Sequence, residues 1–162
     1  MKTSDLMDVF QEELQSCEIQ FKNYGGRNAF WGPCKTLQCK NDNVLLRRML
    51  EEQANGHILI VDGGGSLSSA LTGDIIAEIG KKNDWSGVVI YGAVRDTLAL
   101  GRIDFDVKAL GSNPRKSHKK GDGISNVKIS FGGMTVEPGN WVYCDEDGVV
   151  VANRELQLEQ AR

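Results

Sequence analysis

The chain has 162 residues and a formal net charge of −3 at pH 7. This length fits one domain, since domains commonly run to roughly 100–200 residues, and the acidic balance argues against a general nucleic-acid binder. No apolar run approaches the ~20 residues that a membrane span needs, and two acids interrupt the N-terminal segment where a signal peptide has its apolar core, so we expect a cytoplasmic protein.

The cysteines form no recognisable metal or redox motif. Cys17, Cys34, Cys39 and Cys144 include no C-x-x-C pair, and the chain has only two histidines. A zinc site built from cysteine and histidine is therefore disfavoured, and we expect reduced, packed thiols.

The first third of the chain predicts a helix, a strand and a second helix. The first helix can be capped by Thr3 or Ser4. A strand is predicted over residues 29–40, interrupted by Gly32-Pro33, and the second helix ends near Asn55-Gly56.

Two apolar segments define the centre of the predicted fold. His57–Val61 and Gly87–Tyr91 are short, rich in isoleucine and valine, and bounded by glycines, which is typical of strands buried on both faces. Between them, apolar residues recur at helical spacing until Asn83-Asp84. Strand, helix and strand in this order predict a parallel, right-handed crossover.

The remaining elements are mostly β structure. In chain order they are a helical turn (97–101), a strand (105–110), an exposed loop (113–123), a strand (127–131), a hairpin (141–144 with 149–152) and a polar helical tail (154–162). The tip of that hairpin, residues 145–147, is most simply a polar turn. We therefore predict one α/β domain with a parallel βαβ core and added antiparallel strands.

Polar residues follow the carboxyl ends of both central strands. Gly73-Asp74 begins the crossover helix, and Arg95-Asp96 leaves the second strand. Ligands of open α/β sheets bind in the crevice beyond these ends, so these residues should meet there. Each pair also has a purely structural interpretation: an acid at a helix start interacts well with the helix dipole, and Arg95-Asp96 can be a surface ion pair.

Two other motifs are ambiguous. Gly63-Gly64-Gly65 lacks the lysine of a phosphate loop and does not complete a dinucleotide motif, so a tight turn is favoured. The basic segment Arg115–Lys120 suits an acidic partner, but a solvated loop is favoured because the whole chain is acidic.

Seven segments in order resemble the RraA family, and the likeness runs from about Asp5 to Ala152. They are F-x-N-Y-G-G-R, V-D-G-G-G-S-L, A-L-x-G-D, V-x-Y-G-A-V-R-D, V-K-A-L-G-S-x-P, F-G-G-M-T-V-x-P-G and D-E-D-G-V-V-V. That family contains the regulator of ribonuclease activity A, which inhibits ribonuclease E. It also contains divalent-metal aldolases that cleave 4-hydroxy-4-methyl-2-oxoglutarate and decarboxylate oxaloacetate.

The resemblance implies a swivelling β/β/α fold and a homotrimer with active sites at subunit interfaces. The aldolase branch is marked by an Asp, twenty intervening residues, then Arg-Asp, and Asp74 with Arg95-Asp96 matches this pattern. Members best known as ribonuclease regulators lack part of the set, so its presence favours catalysis. Such proteins have also been called demethylmenaquinone methyltransferases, but the sequence shows no methyl-donor site.

The resemblance also implies roles for individual residues. Asp96 would ligate Mg²⁺ or Mn²⁺, and Asp74 would hold water bound to that metal. The 2-oxo acid substrate would be bound by Arg95 and by the backbone amides of Gly73, Asp74, Ile75 and Ile76. A neighbouring subunit would add an acid near its C-terminus, for which Glu155 and Glu159 are candidates.

Overall fold

The computed structural model describes residues 1–161 and alternates short helices with strands. The helices are α1 (Thr3–Phe10), α2 (Val44–Leu50), α3 (Asp74–Lys82) and α4 (Thr97–Leu100). The strands are β1 (Leu14–Ser16), β2 (Lys22–Asn23), β3 (Phe30–Gln38), β4 (Ile58–Asp62), β5 (Ala70–Thr72), β6 (Gly87–Val94), β7 (Asp106–Ser112), β8 (Ile124–Ser125), β9 (Ile129–Phe131), β10 (Met134–Val136), β11 (Trp141–Cys144) and β12 (Val149–Ala152). Within residues 1–161, no helix has the length and apolar character that crossing a membrane requires.

A parallel core lies at the centre of the sheet, as the sequence predicts. Strands β3, β4, β6 and β7 are neighbours, and each pairs in parallel with the next. The strands β4 and β6 are almost wholly buried because helices cover one face of the sheet and a hairpin covers the other. Leu59 and Val88 pack with α2 and α3, whereas Ile60 and Val89 pack with the β9–β10 hairpin. The predicted α/β class is confirmed.

Antiparallel strands extend this core. Strand β11 pairs with both β3 and β12, and β12 pairs in turn with β1. The predicted hairpin of β11 and β12 is confirmed, with Cys144 opposite Val149. Strand β5, which the sequence pattern did not indicate, lies parallel to the end of β6.

The predicted interruption at Gly32-Pro33 is wrong, because β3 continues through both residues. Its first residues pair with β11 up to Pro33, and from Cys34 onward it pairs with β4. A proline lacks the N–H that a continuing ladder needs, so a strand can accommodate it where its partner changes. At Gly32 the carbonyl oxygen of Gly56 lies where a side chain would begin, so this position requires glycine.

Two helix boundaries also differ from the prediction. Helix α2 ends at Leu50, not near Asn55-Gly56, because the following residues turn toward β4 and the Ala54 amide donates to the Asn83 carbonyl at 2.9 Å. Neither Thr3 nor Ser4 caps α1; the amide and hydroxyl of Thr3 both donate to the Asp145 carboxylate, each at 2.6 Å. Asp145 is buried, so the expectation of a polar hairpin tip is wrong at this residue.

The C-terminal tail is less helical than predicted. It contains only a short 3₁₀ turn, Leu158–Ala161, and Leu156 packs into the cluster formed by α1, β11 and β12. The end of the predicted tail, Arg162, lies outside the described residues.

Candidate active site

The start of α3 lies beside the exit of β6. Strand β5 leads directly into α3, and its last residue, Thr72, is opposite Val94 in the parallel ladder with β6. The Arg95 amide donates to the Thr72 carbonyl at 2.9 Å. Two segments that are distant in sequence are therefore joined through backbone contacts at one edge of the sheet.

A cavity of about 120 Å³ opens at this junction. All of the predicted site residues line it, namely Gly73, Asp74, Ile75, Ile76, Arg95 and Asp96. In an open α/β sheet this is the crevice where ligands bind.

Arg95 and Asp96 face one another across a loose ion pair. The Arg95 Nε lies 3.7 Å from the Asp96 Oδ2, and both side chains are about two-fifths exposed. A pair this open to solvent contributes little stability, so either group can turn to a ligand. Asp96 also has a left-handed backbone, with φ of 56°, which is uncommon for a residue other than glycine and occurs often at functional sites.

Asp74 already uses one amide of the helix start. Its Oδ1 accepts a hydrogen bond from the Ile75 amide at 2.8 Å. Since the first amides of a helix have no partner within the helix, the turn from Gly73 to Ile76 offers donors to an anion. The Ile75 amide becomes available only when the Asp74 carboxylate moves away.

Gly73 leaves the space that the Asp96 carboxylate occupies. A Cβ at this position would overlap Asp96 Oδ2 and lie 3.3 Å from the Arg95 Cγ. The bare backbone of Gly73 therefore allows the acid of one segment to sit against the helix start of the other.

Five further polar residues at the cavity were not identified as site residues from the sequence. They are Asn43, Arg47, Thr72, Lys116 and Lys119. Strands β3 and β7 are parallel to the central strands and also end at this edge, but the sequence alone did not reveal this strand order. Extending the rule about carboxyl ends to these two strands leads to α2 and to the basic loop.

The basic loop is more than a solvated segment. Ser117 is buried and donates to the Ala70 carbonyl at 2.7 Å, while Lys116 pairs with Ala70 through an isolated bridge. These contacts fasten residues 116–119 beside β5, so Lys116 and Lys119 reach the cavity wall. Ser117 departs from the expected solvated loop, whereas Lys116 and Lys119 remain exposed as expected.

Lys119 lies in a strongly positive environment. Its Nζ donates to the Asn43 Oδ1. Burial lowers the pKa of the Lys119 ammonium, and the nearby cations Arg95, Lys116 and Arg47 lower it further. An anion in the cavity would reduce this mutual repulsion.

The cavity lining is therefore cationic overall. It has four basic side chains and two carboxylates, which leaves a formal excess of two positive charges. Such a site suits an anion with more than one charge.

The donor set also fits a hard divalent cation that has few protein ligands. Among residues 1–161, no group of three or more His, Cys, Asp or Glu side chains could hold a metal. Mg²⁺ commonly uses one or two carboxylates and completes its shell with water and substrate oxygens. The Asp96 carboxylate, in the space left by Gly73, and Asp74 at the same cavity provide such oxygens.

The remaining candidate motifs lie outside this cavity. Gly63–Gly65 forms the expected tight turn, in which the Gly64 amide donates to the Asp62 Oδ1 at 2.9 Å. Three of the cysteines are buried, and burial raises the pKa of the Cys39 thiol to about 12. Thiols of this kind pack in the core and are poor nucleophiles.

Comparison with known proteins gives consistent results over nearly the whole chain. A family model named RraA-like, with the description Aldolase/RraA, matches residues 3–151. A protein of Halorhodospira halophila, provisionally named a 4-hydroxy-4-methyl-2-oxoglutarate aldolase, is 49% identical over 160 residues, which cover 96% of this chain and 98% of the relative.

Solved structures with the same fold carry different functional names. A Geobacillus kaustophilus structure described as an S-adenosylmethionine:2-dimethylmenaquinone methyltransferase has a TM-score of 0.95 and 47% identity, covering 96% of this chain and 97% of that one. The RNA-processing inhibitor RraA from Thermus thermophilis has a TM-score of 0.93 and 39% identity, covering 97% and 95%. Function must therefore be argued from the site.

Proposed function

The chain belongs to the RraA-like family, and from this premise we propose that it is a divalent-metal-dependent carbon–carbon lyase. It would cleave 4-hydroxy-4-methyl-2-oxoglutarate to pyruvate, as a class II aldolase does, and would decarboxylate oxaloacetate. The observation that carries this proposal is the convergence of Asp74, Arg95 and Asp96 on one cationic cavity. The name of the Halorhodospira halophila relative supports the same substrate.

In this proposal Asp96 would hold Mg²⁺ or Mn²⁺ directly, and Asp74 would hold water bound to that cation. When bound, such a cation polarises the 2-oxo group as a Lewis acid. The low number of protein carboxylates at the cavity agrees with a cation that takes most ligands from water and substrate.

The substrate carboxylate would bind at the start of α3. Backbone amides from Gly73 to Ile76 point to this end of the helix, where the dipole also favours negative charge. The Arg95 guanidinium, at the same cavity, can form charge-assisted hydrogen bonds with the same ligand. Binding at these two places orients the 2-oxo group toward Asp96.

Arg95 would also stabilise the transition state. Cleavage of the carbon–carbon bond leaves an electron pair on carbon 3 of the pyruvate unit, and the charge moves onto the oxygen of the enolate. The 4-hydroxyl proton would pass to water in the retro-aldol reaction, and carbon dioxide would leave in the decarboxylation. A guanidinium near the enolate oxygen lowers the barrier because the charge that it stabilises is larger in the transition state than in the substrate. Retro-aldol cleavage and decarboxylation form the same enolate, so one site serves both reactions.

A homotrimer with sites at its subunit interfaces is part of the proposal. Glu155 and Glu159, the candidate acids, are exposed and do not line the cavity of their own chain. They could act only in a neighbouring subunit. Ile75 and Leu98, on the adjoining helices α3 and α4, are 66% and 73% exposed, and apolar side chains of this size beside a site fit a subunit interface.

Methyl transfer is not proposed for this cavity. The sequence shows no methyl-donor site.

A second candidate function is inhibition of ribonuclease E by protein–protein contact. The observation that favours it is the 39% identity to the RNA-processing inhibitor from Thermus thermophilis. This function would require a surface that contacts ribonuclease E, and it would not require a cation at Asp96.

Two assays on the same pair of proteins separate these functions. Wild type and Asp96→Asn would be tested for pyruvate release from both 2-oxo acids, with Mg²⁺ and with a chelator, and for inhibition of RNA cleavage by ribonuclease E. The lyase proposal expects metal-dependent pyruvate release that Asp96→Asn loses by at least about a hundredfold. Equal pyruvate release by the two proteins would exclude the proposed mechanism, and inhibition that survives the substitution would support the second function.

A further inference from the structure

A second cavity adjoins the candidate active site. It has a volume of about 260 Å³ and shares Asn43, Arg47, Ile76 and Lys119 with the first cavity. The two spaces therefore meet along α2, and Arg95 and Asp96 line only the first of them. A ligand held at Asp96 can extend into the second cavity only past these shared residues.

The second cavity is also cationic. Arg47, Arg48 and Lys119 line it together with a single acid, Glu51. Its remaining wall includes the aliphatic side chains of Val44 and Ile76. Positive charge beside an aliphatic wall suits the far end of an organic anion better than it suits a neutral group.

Arg47 stands where the two cavities meet. Its side chain is half-exposed, and its Nε donates to the Glu51 Oε1 at 3.0 Å across one turn of α2. Within the described residues 1–161, this is the only hydrogen bond of the side chain. The two terminal nitrogens of the guanidinium, which can bind a carboxylate bidentately, thus remain for a ligand.

We propose that Arg47 binds the distal carboxylate of a dicarboxylic 2-oxo acid and thereby makes the site select such acids over analogues that lack it. This inference rests on the proposed function, since it takes the 2-oxo end of the substrate to lie at Arg95 and Asp96. Arg47 then acts on substrate affinity, whereas the residues at the 2-oxo end act on the chemical step. The second cavity also leaves room for substrates whose carbon chain is longer than five carbons.

The first test measures binding without turnover. 2-Oxoglutarate and 2-oxopentanoate have the same chain, but only the former has a distal carboxylate, and neither has the 4-hydroxyl group that retro-aldol cleavage requires. Calorimetry in the presence of Mg²⁺ would compare wild type with Arg47→Gln and with Arg102→Gln, an exposed arginine outside both cavities.

Wild type should bind 2-oxoglutarate about ten- to a hundredfold more tightly than 2-oxopentanoate, because a hydrogen-bonded charge contributes an amount of this order. Arg47→Gln should remove this preference by weakening 2-oxoglutarate alone, and Arg102→Gln should keep it. Equal weakening of both acids by Arg47→Gln, no preference in wild type, or no binding of either acid would overturn the inference.

The second test uses turnover. 4-Hydroxy-4-methyl-2-oxoglutarate would be compared with 4-hydroxy-4-methyl-2-oxopentanoate, in which a methyl group replaces the distal carboxylate. Arg47→Gln should raise KM for the first substrate about ten- to a hundredfold and leave kcat nearly unchanged. If neither substrate yields pyruvate while the binding preference depends on Arg47, the proposed lyase function fails but the carboxylate site stands.

Discussion

Gly73 and Asp96 are in such close contact that the glycine hydrogen cannot be replaced by a methyl group without moving the aspartate carboxylate. The added carbon would overlap Asp96 Oδ2 and lie 3.3 Å from the Arg95 Cγ. The contact joins the start of α3 to the exit of β6, so a change at either residue alters the geometry of the cavity.

Gly73→Ala should therefore impair activity far more than stability. The Asp96 carboxylate is the free end of a half-exposed side chain and can rotate away from the added methyl group. We therefore expect the unfolding free energy to change by less than about 1 kcal/mol. Metal-dependent pyruvate release should fall at least about tenfold, because displacement of the Asp96 carboxylate would misplace the metal and the substrate. Steady-state kinetics and thermal unfolding of the same samples would measure both effects.

Gly101→Ala is the matched control for this substitution. It adds the same methyl group at the end of α4, where the nearest atom is 3.6 Å away, an ordinary contact. It should retain both activity and stability. Full activity in Gly73→Ala would contradict the placement of the metal at Asp96.

The centre of the fold was predictable because its signals are local. Gly87–Tyr91 is apolar throughout, which indicates a strand buried on both faces, and helix α3 follows from its spacing and from the break at Asn83. Strand β5 has only three residues and no alternation, so nothing in the sequence distinguishes it from a loop. Its pairing with β6 is set by tertiary packing.

The candidate site was predictable only where a single crossover joins its parts. Asp74 and Arg95 belong to one βαβ unit, so the rule about carboxyl ends places them together. Arg47 and Lys119 reach the same cavity from elements attached to β3 and β7, and their contribution depends on a strand order that the sequence did not reveal. The basic loop illustrates the same limit, because buried Ser117 holds it in place through the carbonyl of Ala70.

Asp145→Ala should destabilise the protein although the residue lies in a hairpin turn. Its carboxylate accepts hydrogen bonds from the amide and hydroxyl of Thr3, both at 2.6 Å, and from the Asp147 amide at 3.0 Å. Loss of a buried charged acceptor leaves these donors unpaired, and we expect a loss of about 2–3 kcal/mol. Denaturant unfolding would measure the total, and hydrogen exchange would show faster opening of α1.

Asp147→Ala, in the same turn, is the control for this prediction. The Asp147 side chain is exposed, so its removal should change the unfolding free energy by less than about 0.5 kcal/mol. Similar values for the two variants would show that the contact between Thr3 and Asp145 does not stabilise the fold.

Leu98→Glu should weaken the proposed trimer. Leu98 is 73% exposed on α4 and would be buried in a subunit interface beside the cavity. A carboxylate placed there would lose its hydration on burial. Sedimentation velocity should show smaller species, while Val9→Glu, a change at a 49% exposed residue on α1 outside the cavity, should leave the assembly intact. A trimer that tolerates Leu98→Glu would exclude α4 from the interface.

Asp106 should make the protein less stable as the pH rises from about 4 to about 7. Its side chain is fully buried, and burial raises the pKa of this carboxyl to about 7, against the opposing effect of Arg27, whose Nε lies 3.0 Å from Oδ2. The exposed Asp104 raises the pKa of Asp106 further, and Lys108 lowers it. Within residues 1–161, neither oxygen of Asp106 accepts a well-aligned hydrogen bond, so the charged form is poorly compensated.

The direction of this change in stability follows from the number of protons that the folded and the unfolded protein bind. Between pH 4 and pH 7 the folded protein keeps the proton of Asp106, whereas the unfolded chain, with an ordinary aspartate pKa near 3.8, has released it. The folded state thus binds more protons than the unfolded state, and the unfolding free energy declines as the pH rises through this window. The decline due to Asp106 should be of the order of 2–4 kcal/mol.

Asp106→Asn should flatten this decline, since an amide does not titrate. Urea unfolding at several pH values would measure how steeply the unfolding free energy declines with pH. The control Asp104→Asn removes an exposed carboxylate that also contacts Arg27, and it should retain most of this decline. The chemical shift of the Asp106 carboxyl carbon, followed by NMR as the pH changes, would measure the pKa of this group directly and should show a midpoint near pH 7. An inflection at pH 4, together with the same slope in wild type and Asp106→Asn, would mean that Arg27 compensates the buried charge fully. In that case the F-x-N-Y-G-G-R segment, which carries Arg27, would stabilise the amino end of β7 through a true ion pair.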